Sequence, residues 1–231
     1  MIDTQRMLQK VTACGLTYTT KMLEQLNQYA EILVAYNQKV NLTAITTPEE
    51  IEDKHFIDSL FFANLPEVRG KVVDVGTGAG FPGVVAKLYK PEIDLYLMEP
   101  TGKRLDFLRF LCSELRIEAT FIKERAEEAA RKEWREVFDV ATARAVAGLS
   151  VLAEYCIPLV KPGGYFVAMK GAKDEQQDAE KAVNILGGTF IRKETYELPN
   201  KESRMLLMYR KEKETPQGYP RNGGKINKKP L

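Results

Sequence analysis

The sequence predicts an α/β protein with a Rossmann-like seven-stranded sheet and an N-terminal helical extension, on the basis of three observations. From residue 71 onward, short runs rich in β-branched and aromatic residues alternate with helical segments, as in a parallel doubly wound sheet. The first run, at residues 72–75, leads into a glycine-rich turn. The last two runs are separated only by residues 199–202, which predicts an antiparallel hairpin.

The strands of this sheet are predicted at residues 71–75, 93–99, 119–122, 137–142, 164–170, 189–197 and 203–210. Helices are expected between the first six. The closing hairpin distinguishes this arrangement from the six parallel strands of dehydrogenases. It is typical of the sheet of methyltransferases that use S-adenosyl-L-methionine (AdoMet).

The N-terminal residues are predicted to form helices that pack on the sheet. Apolar residues at three- and four-residue spacing form one stripe, which comprises Met22, Leu26, Tyr29 and Leu33. A further helix is expected from the capping sequence Thr47-Pro48-Glu49-Glu50 to about Asn64. We divide the chain into this extension (1–66), an AdoMet-dependent methyltransferase domain (67–213) and a basic C-terminal tail (214–231).

The composition is that of an ordinary globular protein, with 44% hydrophobic and 29% charged residues in a chain of 231. Asp3, Arg6 and Lys10 interrupt any apolar run of the kind a signal peptide needs. No apolar stretch reaches the length of a membrane span. We therefore expect a cytoplasmic protein without a membrane partner.

The cysteines and the single histidine limit the kinds of metal and catalytic site that the chain can form. The three cysteines form no C-x-x-C pair, and there is a single histidine, His55, so we expect no metal site. His55, Asp58 and Ser59 resemble a hydrolase triad, but they share one helix face and the chain has no G-x-S-x-G sequence. We interpret them as a polar helix face that borders a cofactor site. The alternative is a histidine with a purely structural role.

The glycine-rich turn identifies the cofactor class. Gly76, Gly78 and Gly80 follow the pattern G-x-G-x-G, and we expect all three to let the backbone turn tightly and approach a ligand where a Cβ would collide. Phe81 stands where the dinucleotide fingerprint needs a glycine. Glu99 follows the second strand, where an acidic side chain accepts hydrogen bonds from ribose hydroxyls. Together these residues predict a site for an adenosine-containing cofactor, AdoMet. The alternatives are a plain loop with a solvated glutamate, and a nicotinamide enzyme, which Phe81 and the terminal hairpin disfavour.

Other candidate residues follow later strands, because ligands bind at the carboxyl ends of the strands in such a sheet. Ala126 and Glu127 follow the third strand, although Glu127 also suits the first turn of a helix. Arg144 follows the fourth strand in an apolar context, where a guanidinium needs an anionic or ligand partner. Lys170 follows the fifth strand, as an RNA contact or as a surface charge.

The tail is basic and contains no acid from residue 216 onward. Its cations are Arg221, Lys225, Lys228 and Lys229, within a chain of net charge +2. Two interpretations are open: a disordered, solvated end, or an arm that contacts RNA phosphates and folds on binding.

An ordered set of motifs between residue 37 and the C-terminus closely resembles the bacterial RsmG (GidB) family. The motifs are Asn41-Leu42-Thr43, Lys54-His55-Phe56-Ile57-Asp58-Ser59, the glycine-rich run Val73 to Gly83, Gly102-Lys103-Arg104, Arg125-Ala126-Glu127-Glu128, Ala143-Arg144-Ala145 and Lys161-Pro162-Gly163-Gly164.

The resemblance implies an enzyme that transfers a methyl group from AdoMet to N7 of a guanine in 16S ribosomal RNA, with the RNA or the small ribosomal subunit as partner. It implies AdoMet contacts at Gly76, Phe81, Ala126, Glu127 and Arg144, with Glu99 on the ribose. Many relatives carry Asp at the position of Glu99, a shorter acid with the same role.

The chemistry of methyl acceptors favours the same target atom. Amino-group methylation uses an N/D-P-P-Y/F loop where this chain has Ala143-Arg144-Ala145, and pyrimidine C5 needs a cysteine nucleophile. A ribose hydroxyl must lose a proton to a Lys-Asp-Lys-Glu set, of which only Lys170 has a counterpart. Guanine N7 presents a lone pair, so an in-line displacement needs positioning, by Arg144, and no general base. The alternatives are a small-molecule methyltransferase and a non-catalytic ribosome-assembly factor.

Overall fold

A seven-stranded sheet forms the centre of the structure, a computed structural model that describes residues 1–173 and 176–231. Its strands are β1 (Lys71–Val75), β2 (Asp94–Met98), β3 (Thr120–Ile122), β4 (Phe138–Arg144), β5 (Val160–Lys170), β6 (Gly188–Glu197) and β7 (Ser203–Lys211). Their spatial order is β3-β2-β1-β4-β5-β7-β6. Neighbouring strands from β3 to β5 pair parallel, and β7 is antiparallel to β5 and β6.

This topology confirms the predicted sheet and its closing hairpin. The strand order reverses between β1 and β4, and ligands of such sheets bind in the crevice outside the carboxyl ends of the strands at this point. Gly76 follows β1, and Arg144 is the last residue of β4. Because β1 and β4 are neighbours, these two residues lie side by side at this crevice.

Helices cover both faces of the sheet. They are α1 (Thr4–Ala13), α2 (Thr20–Asn37), α3 (Pro48–Glu50), α4 (Asp58–Asn64), α5 (Gly83–Tyr89), α6 (Gly102–Glu114), α7 (Ala126–Ala129), α8 (Leu149–Cys156), α9 (Gln176–Ile185) and α10 (Gly223–Lys228). The side chains of Asp3, Thr19 and Thr47 accept hydrogen bonds from backbone N–H groups of α1, α2 and α3 respectively, as N-caps do.

The predicted apolar stripe of α2 is confirmed. Met22, Leu26, Tyr29 and Leu33 are buried in one core cluster together with residues of α5 and α6, such as Val84 and Leu108. The N-terminal helices therefore share a core with one face of the sheet, while α7, α8 and α9 cover the other face. In the described residues no helix has the length and hydropathy to cross a membrane. The division of the chain at residues 66 and 213 stays a prediction.

The helix predicted from residue 47 to 64 contains a π-helical segment, Ile51–Ile57, between α3 and α4. Its wider hydrogen-bond spacing, seen where Asp58 N–H donates to the Asp53 carbonyl, changes which residues share a face. Ser59 is fully buried, and its hydroxyl donates to the His55 carbonyl at 2.6 Å. The prediction that Ser59 belongs to a polar face was therefore wrong, whereas His55 and Asp58 line a cavity.

The tail packs against the methyltransferase domain. Arg221 donates to Glu154 of α8, with Nη2 at 2.6 Å and Nε at 2.9 Å from carboxylate oxygens, and Glu154 is fully buried. Ile226 of α10 is also buried. Since a buried carboxylate needs a partner, this ion pair holds the tail on the protein. The interpretation of a disordered tail was wrong. Arg221 is held in this ion pair, and its contact with RNA stays a prediction.

Asp74 of β1 anchors the glycine-rich turn to the sheet. Its Oδ2 accepts from the Thr77 hydroxyl at 2.6 Å and from Gly83 N–H at 2.8 Å, so one carboxylate ties the two ends of the turn together. Its Oδ1 has no hydrogen-bond partner within the described part of the chain. Complete burial raises the pKa of Asp74 to about 6, despite the two hydrogen bonds that lower it.

We expect the Asp74 carboxyl to favour folding at lower pH. Its folded pKa lies above the unfolded value of 3.8, so its contribution is complete below pH 3.8 and is lost as the pH rises through 6. When the pH is lowered from 8 to 5, the unfolding free energy of the wild type should rise by about 1.4 kcal/mol relative to that of Asp74→Asn. Urea unfolding of both proteins at the two pH values measures this difference.

Asp139→Asn is the matched control for Asp74→Asn. The pKa of Asp139 is lowered, by its hydrogen bonds to Lys161 and to Lys71 N–H against the effect of burial, so this carboxyl is ionised at both pH values. Its substitution should change stability equally at pH 8 and pH 5. A pH-independent difference for Asp74→Asn as well would contradict the assignment.

Candidate active site

The glycine-rich turn leaves an open face at Gly78. Gly76 and Gly78 have φ values of +66° and +58°, a region that disfavours residues with a Cβ. A Cβ at Gly76 would lie 2.9 Å from Cγ2 of Val146, whereas a Cβ at Gly78 would meet only the Gly76 carbonyl oxygen, at 3.9 Å. The space beside Gly78 is therefore free for a ligand, and Val146 borders it at Gly76.

Gly80 serves the protein core rather than a ligand. A Cβ there would lie 2.6 Å from the Tyr29 hydroxyl oxygen and 2.8 Å from Cγ2 of Val84. The Tyr29 hydroxyl donates to the Ala79 carbonyl at 2.5 Å, so α2 holds the turn directly. The expectation that all three glycines admit a ligand was wrong at Gly80, because a side chain distant in the sequence fills that space.

Glu99 lies where a ribose acceptor is needed. It follows β2, is 2% exposed, and accepts from Gly78 N–H at 3.2 Å through Oε2 and from Thr101 N–H at 2.9 Å through Oε1. Arg104 Nη1 lies 3.7 Å from Oε2. A buried carboxylate thus stands beside the open face of the turn, as binding of ribose hydroxyls requires.

Ala126 and Glu127 are buried at the start of α7, on the same edge of the sheet. Glu99 N–H donates to the Ile122 carbonyl at 3.0 Å, which brings the ends of β2 and β3 together, and α7 begins four residues after Ile122. Gly223 of the tail lies directly against the Glu127 carboxylate, since a Cβ at Gly223 would collide with it. The tail therefore reaches the predicted cofactor residues.

Arg144 is the best-connected side chain of the site. Its Nη1 donates to the Lys54 carbonyl at 2.7 Å and to Asp58 Oδ2 at 2.9 Å, and its Nη2 donates to His55 Nδ1 at 3.0 Å. The guanidinium carbon lies 5.1 Å from the centre of the Phe81 ring. These contacts occupy three of the five guanidinium N–H groups, so two remain for a ligand within the described residues. The predicted need of this cation for partners is met by the segment that contains His55 and Asp58.

His55 is neutral and its tautomer is fixed. Burial and the neighbouring Arg144 charge lower the pKa of His55 to about 3. Arginine has no acceptor, so His55 Nδ1 must be the unprotonated nitrogen that accepts from Arg144. The proton is then on Nε2, which lies 3.0 Å from Thr43 Oγ1. The ring stacks on Phe81 at 4.2 Å, and Phe81 stacks on Tyr29 at 5.0 Å.

A cavity of about 520 Å³ opens between these residues and the ends of β4 and β5. Its lining includes Arg144 and Lys170 from the predicted site, together with Thr43, Ile45, Lys54, His55, Asp58, Ala145, Met169 and Arg204. The Lys170 ammonium donates to the Ala147 carbonyl at 3.1 Å. The sequence analysis missed Arg204. The predicted hairpin could have indicated it, because β7 runs antiparallel to β5 and therefore begins at the edge of the sheet where β5 ends.

The residues present fit AdoMet. Gly78 provides an uncovered backbone, Glu99 provides a buried carboxylate beside it, and Phe81 with Arg144 connects this turn to the cavity. Ala126 and Glu127 lie at the same sheet edge, away from the cavity lining. The structure thus joins the predicted cofactor residues and Lys170 at one edge of the sheet, whereas Arg221 is paired with Glu154 and the three tail lysines are exposed outside the cavity lining.

Known folds resemble this architecture. The chain is similar to a putative RNA methyltransferase from Pyrococcus horikoshii, with a TM-score of 0.55 and 16% identity over 84% of this chain and 98% of that one. It is also similar to an AdoMet-dependent O-methyltransferase from Thermotoga maritima, with a TM-score of 0.54 and 16% identity over 80% of this chain and 72% of that one. These likenesses show the fold of an AdoMet-dependent methyltransferase.

Sequence comparison is more specific. The model of the GidB family, described as rRNA small subunit methyltransferase G, matches residues 22–205. The ribosomal RNA small subunit methyltransferase G of Desulfitobacterium hafniense (strain Y51) is 46% identical over 90% of this chain and 89% of its own length. That of Macrococcus caseolyticus (strain JCSC5402) is 42% identical over 100% of this chain and 99% of its own length. With the glycine-rich turn, Glu99 and the Arg144 cluster in place, this agreement along the whole chain shows that it belongs to the GidB family, rRNA small subunit methyltransferase G.

Proposed function

We propose that this protein transfers a methyl group from AdoMet to N7 of a guanine in 16S ribosomal RNA, in the cytoplasm. The observation that carries this proposal is a cavity beside the predicted cofactor residues, in which the carboxylate and the imidazole of the described lining are held by other protein groups, so that neither is a free base. Both Asp58 oxygens accept hydrogen bonds, from Arg144 and from the Tyr196 hydroxyl, and both His55 nitrogens are engaged. Guanine N7 is an acceptor that needs no deprotonation, so such a site suffices.

The cofactor is held by residues at the ends of β1, β2 and β3. Gly78 admits it to the backbone with Gly76 beside it, Glu99 accepts from the ribose hydroxyls, and Ala126 with Glu127 borders the base. When bound, AdoMet supplies an electrophilic methyl group that a lone pair accepts by in-line displacement, without a covalent enzyme intermediate. The protein contributes position and the exclusion of water.

Arg144 links the two reactants in this proposal. Asp58, His55 and the Lys54 carbonyl fix the plane of its guanidinium, and its two remaining N–H groups are available to the cofactor or to a phosphate. A bidentate grip on guanine O6 and N7, the commonest arginine contact to this base, would block the atom to be methylated. Arg144 therefore acts as a positioning residue.

RNA contacts come from two basic groups. Lys54, Lys170 and Arg204 line the cavity, and Lys225, Lys228 and Lys229 of the tail are exposed. Because phosphate contacts supply most non-specific affinity for nucleic acid, these cations suit a substrate as large as 16S ribosomal RNA or the small subunit.

The proposal is tested by incubating the protein with labelled AdoMet and 16S ribosomal RNA lacking the modification, as free RNA and as small subunits. Nucleoside mass analysis should show 7-methylguanosine in one of the two substrates. Label transferred only to small molecules would favour a small-molecule methyltransferase. The absence of AdoMet binding in calorimetry would favour a non-catalytic assembly factor.

Replacement of Arg144 should impair catalysis strongly. We expect Arg144→Ala to lower turnover on ribosomal RNA by about 100-fold or more, because small displacements of reacting groups carry losses of this size. Arg144→Lys retains the charge but lacks the planar fork, so its loss should be smaller, about tenfold. Initial rates, normalised to folded protein, measure both variants, and turnover near the wild-type rate would refute the assigned role.

The tail lysines should contribute to the salt dependence of RNA binding. Lys225→Ala, Lys228→Ala and Lys229→Ala together, with Arg221 and Ile226 intact, should lower the slope of log affinity against log salt by about 2. Fluorescence anisotropy with 16S ribosomal RNA over a series of salt concentrations measures the slope. The matched control replaces three exposed lysines elsewhere, Lys21, Lys181 and Lys213, and should leave it unchanged. An equal effect of both triple variants would contradict a specific tail contact.

A further inference from the structure

The Thr43 hydroxyl has a proton for which the described residues offer no acceptor. Thr43 lies in the loop after α2 and lines the cavity. Its Oγ1 accepts from Ile45 N–H at 3.0 Å. It also lies 3.0 Å from His55 Nε2, the nitrogen that carries the proton when His55 Nδ1 accepts from Arg144.

The roles of the hydroxyl follow from this tautomer. A threonine hydroxyl has two acceptor lone pairs and one donor, and here Ile45 and His55 occupy both acceptor positions. No acceptor in the described part of the chain receives the Thr43 proton. Thr43 therefore faces the cavity as a donor that cannot accept. The Arg144 charge polarises His55, which strengthens the donor at the end of the chain.

A purine in the cavity would meet this donor differently according to its identity. The edge of guanine that carries N7 also carries the acceptor O6, whereas adenine presents an amino donor at that position. A single donor on O6 leaves N7 open to methylation, unlike a bidentate contact. With both lone pairs of Thr43 occupied, the adenine amino group would face a donor and stay unpaired, which is unfavourable in a buried site.

We propose that the Thr43 hydroxyl donates a hydrogen bond to O6 of the target guanine and so selects guanine over adenine. This inference rests on the proposed function and assigns Thr43 as a specificity-determining residue. His55 and Arg144 orient it, since the neutral histidine between them passes the polarity of the arginine to the hydroxyl.

The test compares Thr43→Val, which removes the hydroxyl at nearly constant volume, with Thr43→Ser, which keeps it. After the modified guanosine has been mapped, it is replaced in ligated 16S ribosomal RNA by 2-aminopurine, which has N7 but no O6. Thr43→Val should lower kcat/KM on guanine by about tenfold to 100-fold, the range of one lost buried hydrogen bond. Thr43→Ser should stay within about threefold of the wild type.

The substrate change and the substitution should be non-additive. The wild type should lose a similar factor on 2-aminopurine, and Thr43→Val should lose nothing further there, because the contact is already absent. Inosine, which keeps O6 and N7, should retain the full sensitivity to Thr43→Val. Calorimetry should give the same AdoMet affinity for wild type and both variants, which also shows that the variants fold.

Each contrary outcome has a distinct meaning. Additive losses, or a defect in Thr43→Ser equal to that of Thr43→Val, would overturn the contact with O6. A weakened AdoMet affinity in Thr43→Val alone would assign the donor to the cofactor instead. If the wild type forms no 7-methylguanosine on the natural RNA, the proposed function itself fails, and the role of Thr43 fails with it.

Discussion

The site depends on one constraint, which is that the buried guanidinium of Arg144 needs partners for its charge. Its side chain is only 15% exposed, and an ion removed from water must be paired and hydrogen-bonded. The partners come from the segment around His55 and Asp58, about 90 residues earlier in the chain. The ion pair thus fastens the N-terminal helices to the end of β4, and the cavity exists because these two parts meet there.

The same helices also shape the cofactor edge. Tyr29 of α2 donates to the Ala79 carbonyl and stacks on Phe81, which in turn stacks on His55. The glycine-rich turn is therefore held from two sides, by Tyr29 from the helical layer and by Asp74 from the sheet. The N-terminal helices are part of the active site, because a shift of α2 would move the turn and the ring that supports the Arg144 guanidinium.

The fold was predictable from the sequence because its signals are local. Alternating β-rich and helical runs located all seven strands to within a few residues, and a short turn identified the antiparallel hairpin. The apolar surroundings of Arg144 indicated that it needs a partner, but the identity of that partner depends on a contact between distant segments. The predictions for Ser59 and Gly80 were wrong for related reasons. A π-helical segment changed the helix face on which Ser59 lies, and Tyr29 of α2 fills the space beside Gly80. The tail has the composition of a disordered segment, and its order depends on contacts with distant residues, such as the buried carboxylate of Glu154 and the hydrogen bonds from Arg131 and Arg135.

The strand order separates the point where the tail meets the cofactor residues from the basic residues of the cavity. Glu127, which the tail covers at Gly223, follows β3 at one side, and Lys170 and Arg204 lie at β5 and β7 on the other. The glycine-rich turn and Arg144, after β1 and at the end of β4, lie between them. Under the proposed function, an RNA strand whose phosphates contact both the tail and the cavity cations would cross the carboxyl edge of the sheet. Because a base has to leave its stack to reach a pocket at that edge, this arrangement favours a single-stranded or loop nucleotide as the target.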